Sequence, residues 1–356
     1  MKDISQIDPN FKIHTASGGI FHNVDLPPFR LYGVKKDKDG YFRMPPEIAA
    51  KVSEGVATLI RQTAGGLVKF RTNAPKLSLR AEQSIGNGIM PHMTALGSAG
   101  FDLYSGDHFV ASFPPACPYG NDYSCEKALY LEKAEPDQDG FFEMTLYFPL
   151  YGAYRAISLS VPDGYEFRSS ETPFRNEKPV VFYGSSITQG GCAPTPGMGY
   201  TNILSRKLNV YCQNLGFSGS AKAEPEMINY LASLEMALFV LDYDHNAPNA
   251  EHLSATHEKL FQAVRAANPN LPIVMASSIP RLYPGNELET RREIIRTTYE
   301  NAVKSGDKNV YFLDGARFFD KIPFDVATVD GVHPNGLGMY LMAEHIADAV
   351  KKGLGL

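Results

Sequence analysis

The sequence predicts an α/β protein in two parts. A β-sandwich of jelly-roll kind is expected over residues 1–175, and a domain built on a parallel five-stranded sheet over 176–356. Three observations carry this. Between 67 and 161, short runs alternate polar and apolar residues, as in Lys76-Leu77-Ser78-Leu79-Arg80-Ala81, with Gly, Pro, Asn and Asp between them. The stretch 167–179 is polar and holds Pro173 and Pro179, so it reads as a linker. After it, apolar runs alternate with longer segments of helical spacing.

Taken in order, the first part offers strands at 67–72, 76–82, 100–104, 108–113, 127–131, 141–148 and 156–161. One helix is expected at 46–64, because Ile48, Val52, Val56, Leu59 and Ile60 keep helical spacing. The second part offers strands at 180–183, 210–215, 236–241, 272–276 and 310–313. Helices are expected at 200–208, 225–234, 254–267, 288–304 and 337–352. Strands separated by helices form a parallel sheet covered on both faces.

A chain of 356 residues, 44% hydrophobic and 21% charged, can bury one very large core or two ordinary ones. Its net charge of -5 offers no basic excess to displace counterions from phosphates, which argues against a nucleic-acid partner. No apolar run approaches the ~18 residues of a membrane span. The first residues, Met1-Lys2-Asp3-Ile4-Ser5-Gln6-Ile7-Asp8-Pro9, lack an apolar signal core, so a cytoplasmic location is expected. Cys117, Cys125, Cys192 and Cys212 form no CxxC pair, and free buried thiols are expected.

Chemistry concentrates at the predicted strand ends of the second part, where open α/β sheets bind ligands. The apolar run Val180-Val181-Phe182-Tyr183 stops at Gly184-Ser185-Ser186-Ile187-Thr188, a tight turn that presents a hydroxyl. Asn214-Leu215-Gly216-Phe217-Ser218-Gly219-Ser220 follows the next strand. Asp242-Tyr243-Asp244-His245-Asn246-Ala247-Pro248-Asn249 follows the third, and Asp330-Gly331-Val332-His333-Pro334-Asn335 precedes the last helix. Each block alone has an ordinary structural reading: a serine often caps a helix, and a histidine can bond a backbone carbonyl. Asp242, Asp244 and His245 could mimic a metal loop, but no second ligand cluster accompanies them, and turn and cap roles are favoured. His252, His257 and His345 fall on predicted helices as surface or core residues. Arg281 stands where it can reach either the pocket mouth or the surface.

In this order, the four blocks resemble the SGNH/GDSL hydrolase family over roughly 178–352. The resemblance implies a flavodoxin-like sheet and a serine esterase. It makes Ser186 the nucleophile, His333 the general base and Asp330 the residue that orients it. The oxyanion hole would comprise the N–H groups of Ser186 and Gly219 and the side-chain amide of Asn246. It implies no cofactor and no metal. Ser185 stands where the family pattern usually has Asp, so Ser185 is the alternative nucleophile. The third block lacks the pattern's glycine, so Asn249 is the alternative to Asn246.

Gly100-Phe101-Asp102-Leu103-Tyr104 resembles the Gly-x-Asp-Leu-Tyr segment in the N-terminal β-domain of a subgroup of that family, several linked to carbohydrate esters. The resemblance implies small acyl esters, acetyl first, on a carbohydrate or polyol. Aromatic groups near Phe113 and at 119–123 are candidates for the pocket wall. The rival readings are an acyltransferase using the same triad and a carbohydrate-binding protein with an inactive hydrolase half. The sequence assigns no oligomeric state.

Overall fold

The computed structural model describes residues 19–84, 90–116, 122–282 and 287–356. In the first half, a four-stranded antiparallel sheet runs His22–Asn23, Tyr154–Ser160, Lys76–Gln83, Tyr123–Ala128. It faces a sheet ordered Phe167–Arg168, Leu67–Thr72, Phe142–Tyr147, Phe101–Ser105, His108–Phe113, with Arg30–Tyr32 also paired to Leu67–Thr72. Inward residues of both sheets, among them Phe70, Leu79, Phe101, Leu103, Leu146 and Ile157, share one buried core. This is the expected β-sandwich.

The second half is a parallel five-stranded sheet ordered Cys212–Gly216, Val180–Gly184, Leu238–Asp242, Ile273–Ala276, Val310–Leu313. In chain order this is 2-1-3-4-5, the flavodoxin-like arrangement, whose ligand crevice opens between the first and third strands. Alternate residues of a strand point to opposite faces. Val181, Tyr183, Phe239 and Leu241 enter one core, while Val180, Phe182, Leu238 and Val240 enter the other. Helices Pro225–Ser233, Ala250–Ala267 and Leu288–Lys304 pack on the first face. Tyr200–Leu208 and Gly336–Leu354 pack on the second.

Several expectations are corrected. The helix expected at 46–64 is two helices, Pro46–Val52 and Glu54–Leu59, broken at Ser53, whose Oγ caps the second by accepting from Val56 N. Their apolar face joins the core of the parallel sheet and not that of the sandwich. The strand expected at 127–131 forms at Tyr123–Ala128: Tyr123 and Cys125 are buried in the core, whereas Leu129 and Leu131 pack against it only partly buried and Tyr130 is exposed. The expected linker contains the short strand Phe167–Arg168 on the sandwich edge. Phe113 is fully buried in the sandwich core, and Tyr123 donates its hydroxyl to Ala99 O, so neither walls a pocket. Tyr119, Gly120, Asn121 and Cys117 lie outside the described residues. The other three cysteines are free and buried. Among the described residues, no helix is long and apolar enough to cross a membrane.

The Gly-x-Asp-Leu-Tyr segment joins the two halves. Asp102, fully buried, accepts from Ser112 Oγ at 3.0 Å and from Gly197 N, across the interface, at 3.0 Å. The Arg206 guanidinium of the second half lies 3.9 Å from the centre of the Tyr104 ring. Asp102→Ala strands a buried N–H and is expected to cost about 1–3 kcal/mol. A denaturant midpoint equal to wild type would remove Asp102 from this joint.

Candidate active site

Three of the four blocks meet because their strands are neighbours. Gly184, at the end of the first parallel strand, lies in register with Gly216 on one side and Asp242 on the other. A Cβ on Gly184 would sit 2.6 Å from the Asp242 carbonyl oxygen, so only glycine lets the chain turn there. The turn runs into a single helical turn, Ser186–Gln189. Ser185 caps it: its Oγ accepts from Ile187 N at 3.2 Å, and the residue is fully buried. The Ser186 hydroxyl is free of capping duty.

The fourth block lies between the last strand and the last helix. Asp330 Oδ1 accepts from Val332 N at 3.0 Å and His333 N at 2.7 Å. Its Oδ2 is 2.8 Å from His333 Nδ1, and His333 Nε2 is 2.9 Å from Ser186 Oγ. Partial burial pushes the Asp330 carboxyl up, but the His333 backbone N–H, its imidazole and the Val332 N–H hold it below the ordinary carboxylate value. An ionised Asp330 keeps the proton on Nδ1, so Nε2 presents a lone pair to the serine. His333 has no capping role: Asn335 Oδ1 caps the helix, accepting from Leu337 N and Gly338 N.

The second and third blocks offer donors. Gly219 has φ +68, a left-handed conformation natural to glycine, and no heavy atom lies within 4 Å of where its Cβ would be. The neighbouring Ser218 N–H is spent on Gln189 Oε1 at 3.0 Å. Asn246 accepts from Ala221 N through Oδ1 at 3.3 Å, and among the described residues its Nδ2 has no protein partner. Asn249 is a helix cap, its Oδ1 accepting from His252 N at 2.8 Å. Such a site can take the proton of an attacking hydroxyl and receive a developing oxyanion.

Residues 177–351 match a family model described as the GDSL-like lipase/acylhydrolase family, and 21–167 match the N-terminus of SGNH-hydrolase-type esterases, the GxDLY model. The chain belongs to the GDSL-like lipase/acylhydrolase family. This SGNH/GDSL protein is a carboxylic ester hydrolase. It is similar to a Bacteroides ovatus structure described as a GDSL-like lipase, at 26% identity, covering 95% of this chain and 98% of that one with a TM-score of 0.80. A salicylyl-acyltransferase from a tetracycline biosynthetic pathway shares 20% identity, 95% and 97% coverage and a TM-score of 0.74. A family two carbohydrate esterase from Clostridium thermocellum, in complex with cellohexaose, shares 17% identity, 82% and 93% coverage and a TM-score of 0.59. No curated protein matches the chain in sequence.

The candidate site also includes residues the motifs did not indicate. Buried Gln189 donates to Leu150 O at 3.1 Å and to Gln62 Oε1 at 2.5 Å while accepting from Ser218 N, which ties the Ser186 turn to the Gly219 loop and to the first half. Tyr151 OH donates to Ser186 O at 3.4 Å. Arg43, 4% exposed, donates to Asn214 O at 3.2 Å, Gly216 O at 2.6 Å and Leu59 O at 2.8 Å, bracing the strand that leads to Gly219. Burial without a carboxylate partner lowers its pKa to about 9.

The acidic residues of the third block are hubs of buried hydrogen bonds and not caps. Asp242 accepts from Tyr200 OH at 2.9 Å and Thr188 Oγ1 at 3.0 Å, and burial raises its pKa to about 7. Asp244 pairs with Arg291 at 3.1 Å and accepts from Ser278 N at 2.9 Å. His252 Nε2 bonds Lys222 O, His257 Nδ1 bonds Thr298 Oγ1, and His345 stacks on Phe318, so these three histidines are structural. Arg281 has a partner of its own, and its neighbour Leu282 donates its N–H to Gly331 O at 2.9 Å, beside Asp330.

Proposed function

We propose that this hydrolase cleaves small acyl groups, acetyl first, from a carbohydrate or other polyol through an acyl-enzyme on Ser186. Ser186 Oγ attacks the ester carbonyl while His333 Nε2 takes its proton, and Asp330 holds the imidazole in place. The negative oxygen of the tetrahedral intermediate accepts from the N–H groups of Ser186 and Gly219 and from Asn246 Nδ2. Collapse expels the alcohol, which receives the proton from His333. Water, deprotonated by His333, then attacks the acyl-enzyme and frees the acid and Ser186.

The observation that carries this reading is the unbroken chain Ser186 Oγ, His333, Asp330, at 2.9 and 2.8 Å. The carbohydrate preference is supported by the likeness to a carbohydrate esterase seen with cellohexaose. The likeness to a salicylyl-acyltransferase favours one second reading, in which an acceptor alcohol replaces water in the deacylation step. The test is hydrolysis of p-nitrophenyl acetate, butyrate and octanoate, followed by acetate release from acetylated oligosaccharides. Acetate esters should turn over fastest. Preference for octanoate would contradict the small acyl pocket, and ester products formed only with an added alcohol would favour transfer.

Asn246→Ala is expected to lower kcat by about 10²–10³ with folding intact. Asn249→Ala should leave kcat unchanged and cost about 1 kcal/mol of stability through its lost cap. The opposite pattern of rate losses would reverse the assignment.

The pH profile follows from the two ionisations. Asp330 is held below the ordinary carboxylate value, so it stays charged to more acid pH than an ordinary carboxylate. kcat/KM should fall at acid pH, because protonating a general base removes the lone pair it needs. Asp330 joins only below its depressed pKa, where the stability it contributes is also lost. A rate that stays unchanged into acid would remove His333 from the base role.

A further inference from the structure

We infer that His92, Cys192 and His333 form a site for a borderline-soft divalent cation, zinc foremost, and that its occupancy switches the esterase off. The three residues come from separate parts of the chain: a turn of the β-rich half, the segment behind the nucleophile helix, and the loop before the last helix. One donor atom from each lies within 4.8 Å of the others. The rings of His92 and His333 have centroids 5.4 Å apart. The buried Cys192 thiol lies 3.5 Å from His92 O. Cys192 has φ 67, a left-handed conformation uncommon outside glycine, so its backbone is held in an unusual setting beside His92.

Imidazole and thiolate are the donors zinc takes in protein sites, at about 2.0–2.1 Å and 2.3 Å, which places donors on the order of 3.5 Å apart around a tetrahedral ion. His92 stands on a turn and is only partly buried, and the site forms if its ring moves about an ångström toward the other two donors. His333 is already prepared as a ligand. Its Nδ1 is held by Asp330 at 2.8 Å, the carboxylate–histidine arrangement that orients metal-binding imidazoles. Nδ1 being committed, the metal takes the lone pair on Nε2.

Binding is balanced by one proton: the Cys192 thiol releases H⁺ to solvent as the sulfur–metal bond forms. Ser186 Oγ, 2.9 Å from Nε2, or a water completes the coordination. The lone pair that would accept the nucleophile's proton is then occupied, and acyl transfer stops until the metal is removed. This consequence rests on His333 acting as base; the binding does not.

Cobalt(II) reads the site directly. One equivalent added to chelator-stripped wild type should produce thiolate-to-cobalt charge-transfer absorption. The band should vanish in Cys192→Ser and persist in Ser186→Ala, which separates binding from catalysis. Zinc should inhibit p-nitrophenyl acetate hydrolysis, and chelator should reverse the inhibition. Cys192→Ser and His92→Ala, each compared with its own zinc-free rate, should need at least about tenfold more zinc for half inhibition. His92 sits on a half-exposed turn, so its variant tests the site even if Cys192→Ser folds poorly. Absence of the thiolate band, or equal zinc sensitivity in wild type and both variants, would overturn the site. A band without inhibition would overturn the switch.

Discussion

Replacing Ser186 with alanine is expected to lower kcat by about 10⁵–10⁶, a loss of the size seen when a serine hydrolase loses its nucleophile. The expectation is specific because the two adjacent serines have separate tasks. Ser185 Oγ is spent on Ile187 N, which begins the single helical turn. Ser186 Oγ faces His333 Nε2 instead. Ser186→Ala therefore removes a reacting atom and no cap, and its thermal midpoint should stay near wild type. Ser185→Ala removes a buried cap and should cost about 1 kcal/mol of stability while leaving a nucleophile in place. Steady-state hydrolysis of p-nitrophenyl acetate with thermal melts of both variants distinguishes them. A fully active Ser186→Ala would transfer the nucleophile role elsewhere.

Asp330→Asn should lower kcat by about 10⁴ with little change in fold. The asparagine oxygen can still accept from the N–H groups of Val332 and His333, so the loop keeps its shape. Its amide NH₂ would then face His333 Nδ1 and favour the tautomer protonated on Nε2. That ring offers Ser186 a proton where it should offer a lone pair. The loss of the carboxylate also removes the charge that stabilises the imidazolium formed during attack. Rates measured with the same ester substrate check this, and a loss below about tenfold would show that Asp330 is not what orients the base.

Much of this site was legible in the sequence because its chemistry sits at strand ends, and strand ends are marked locally. The apolar run 180–183 stopping at Gly184 placed Ser186, and Asp330 and His333 share one short loop before a helix. What was not legible comes from contacts between distant segments. Arg43 reaches Gly216 O, and Gln189 reaches Gln62, across more than a hundred residues, and neither contact leaves a periodic trace. The segment 46–60 showed the right apolar spacing but not its destination, which is the parallel sheet. Ser53 interrupts that spacing without breaking it, so the helix boundary there was hidden. The strand at Tyr123–Ala128 is hard to place from sequence because the more apolar residues that follow it, Leu129 and Leu131, also pack against the core without extending the strand. Asp102 was recognised within its motif, but its task, accepting from Gly197 N across the interface, appears only in the fold.

In the proposed reaction an acyl group rests on Ser186 during turnover. The most direct measurement is rapid acid quench of the enzyme during p-nitrophenyl acetate hydrolysis, followed by peptide mass spectrometry. One acetyl adduct is expected, on the hydroxyl of Ser186, absent from Ser186→Ala and accumulating in His333→Ala only if deacylation slows more than acylation. An adduct on Ser185, or one that persists on the same peptide in Ser186→Ala, would contradict it.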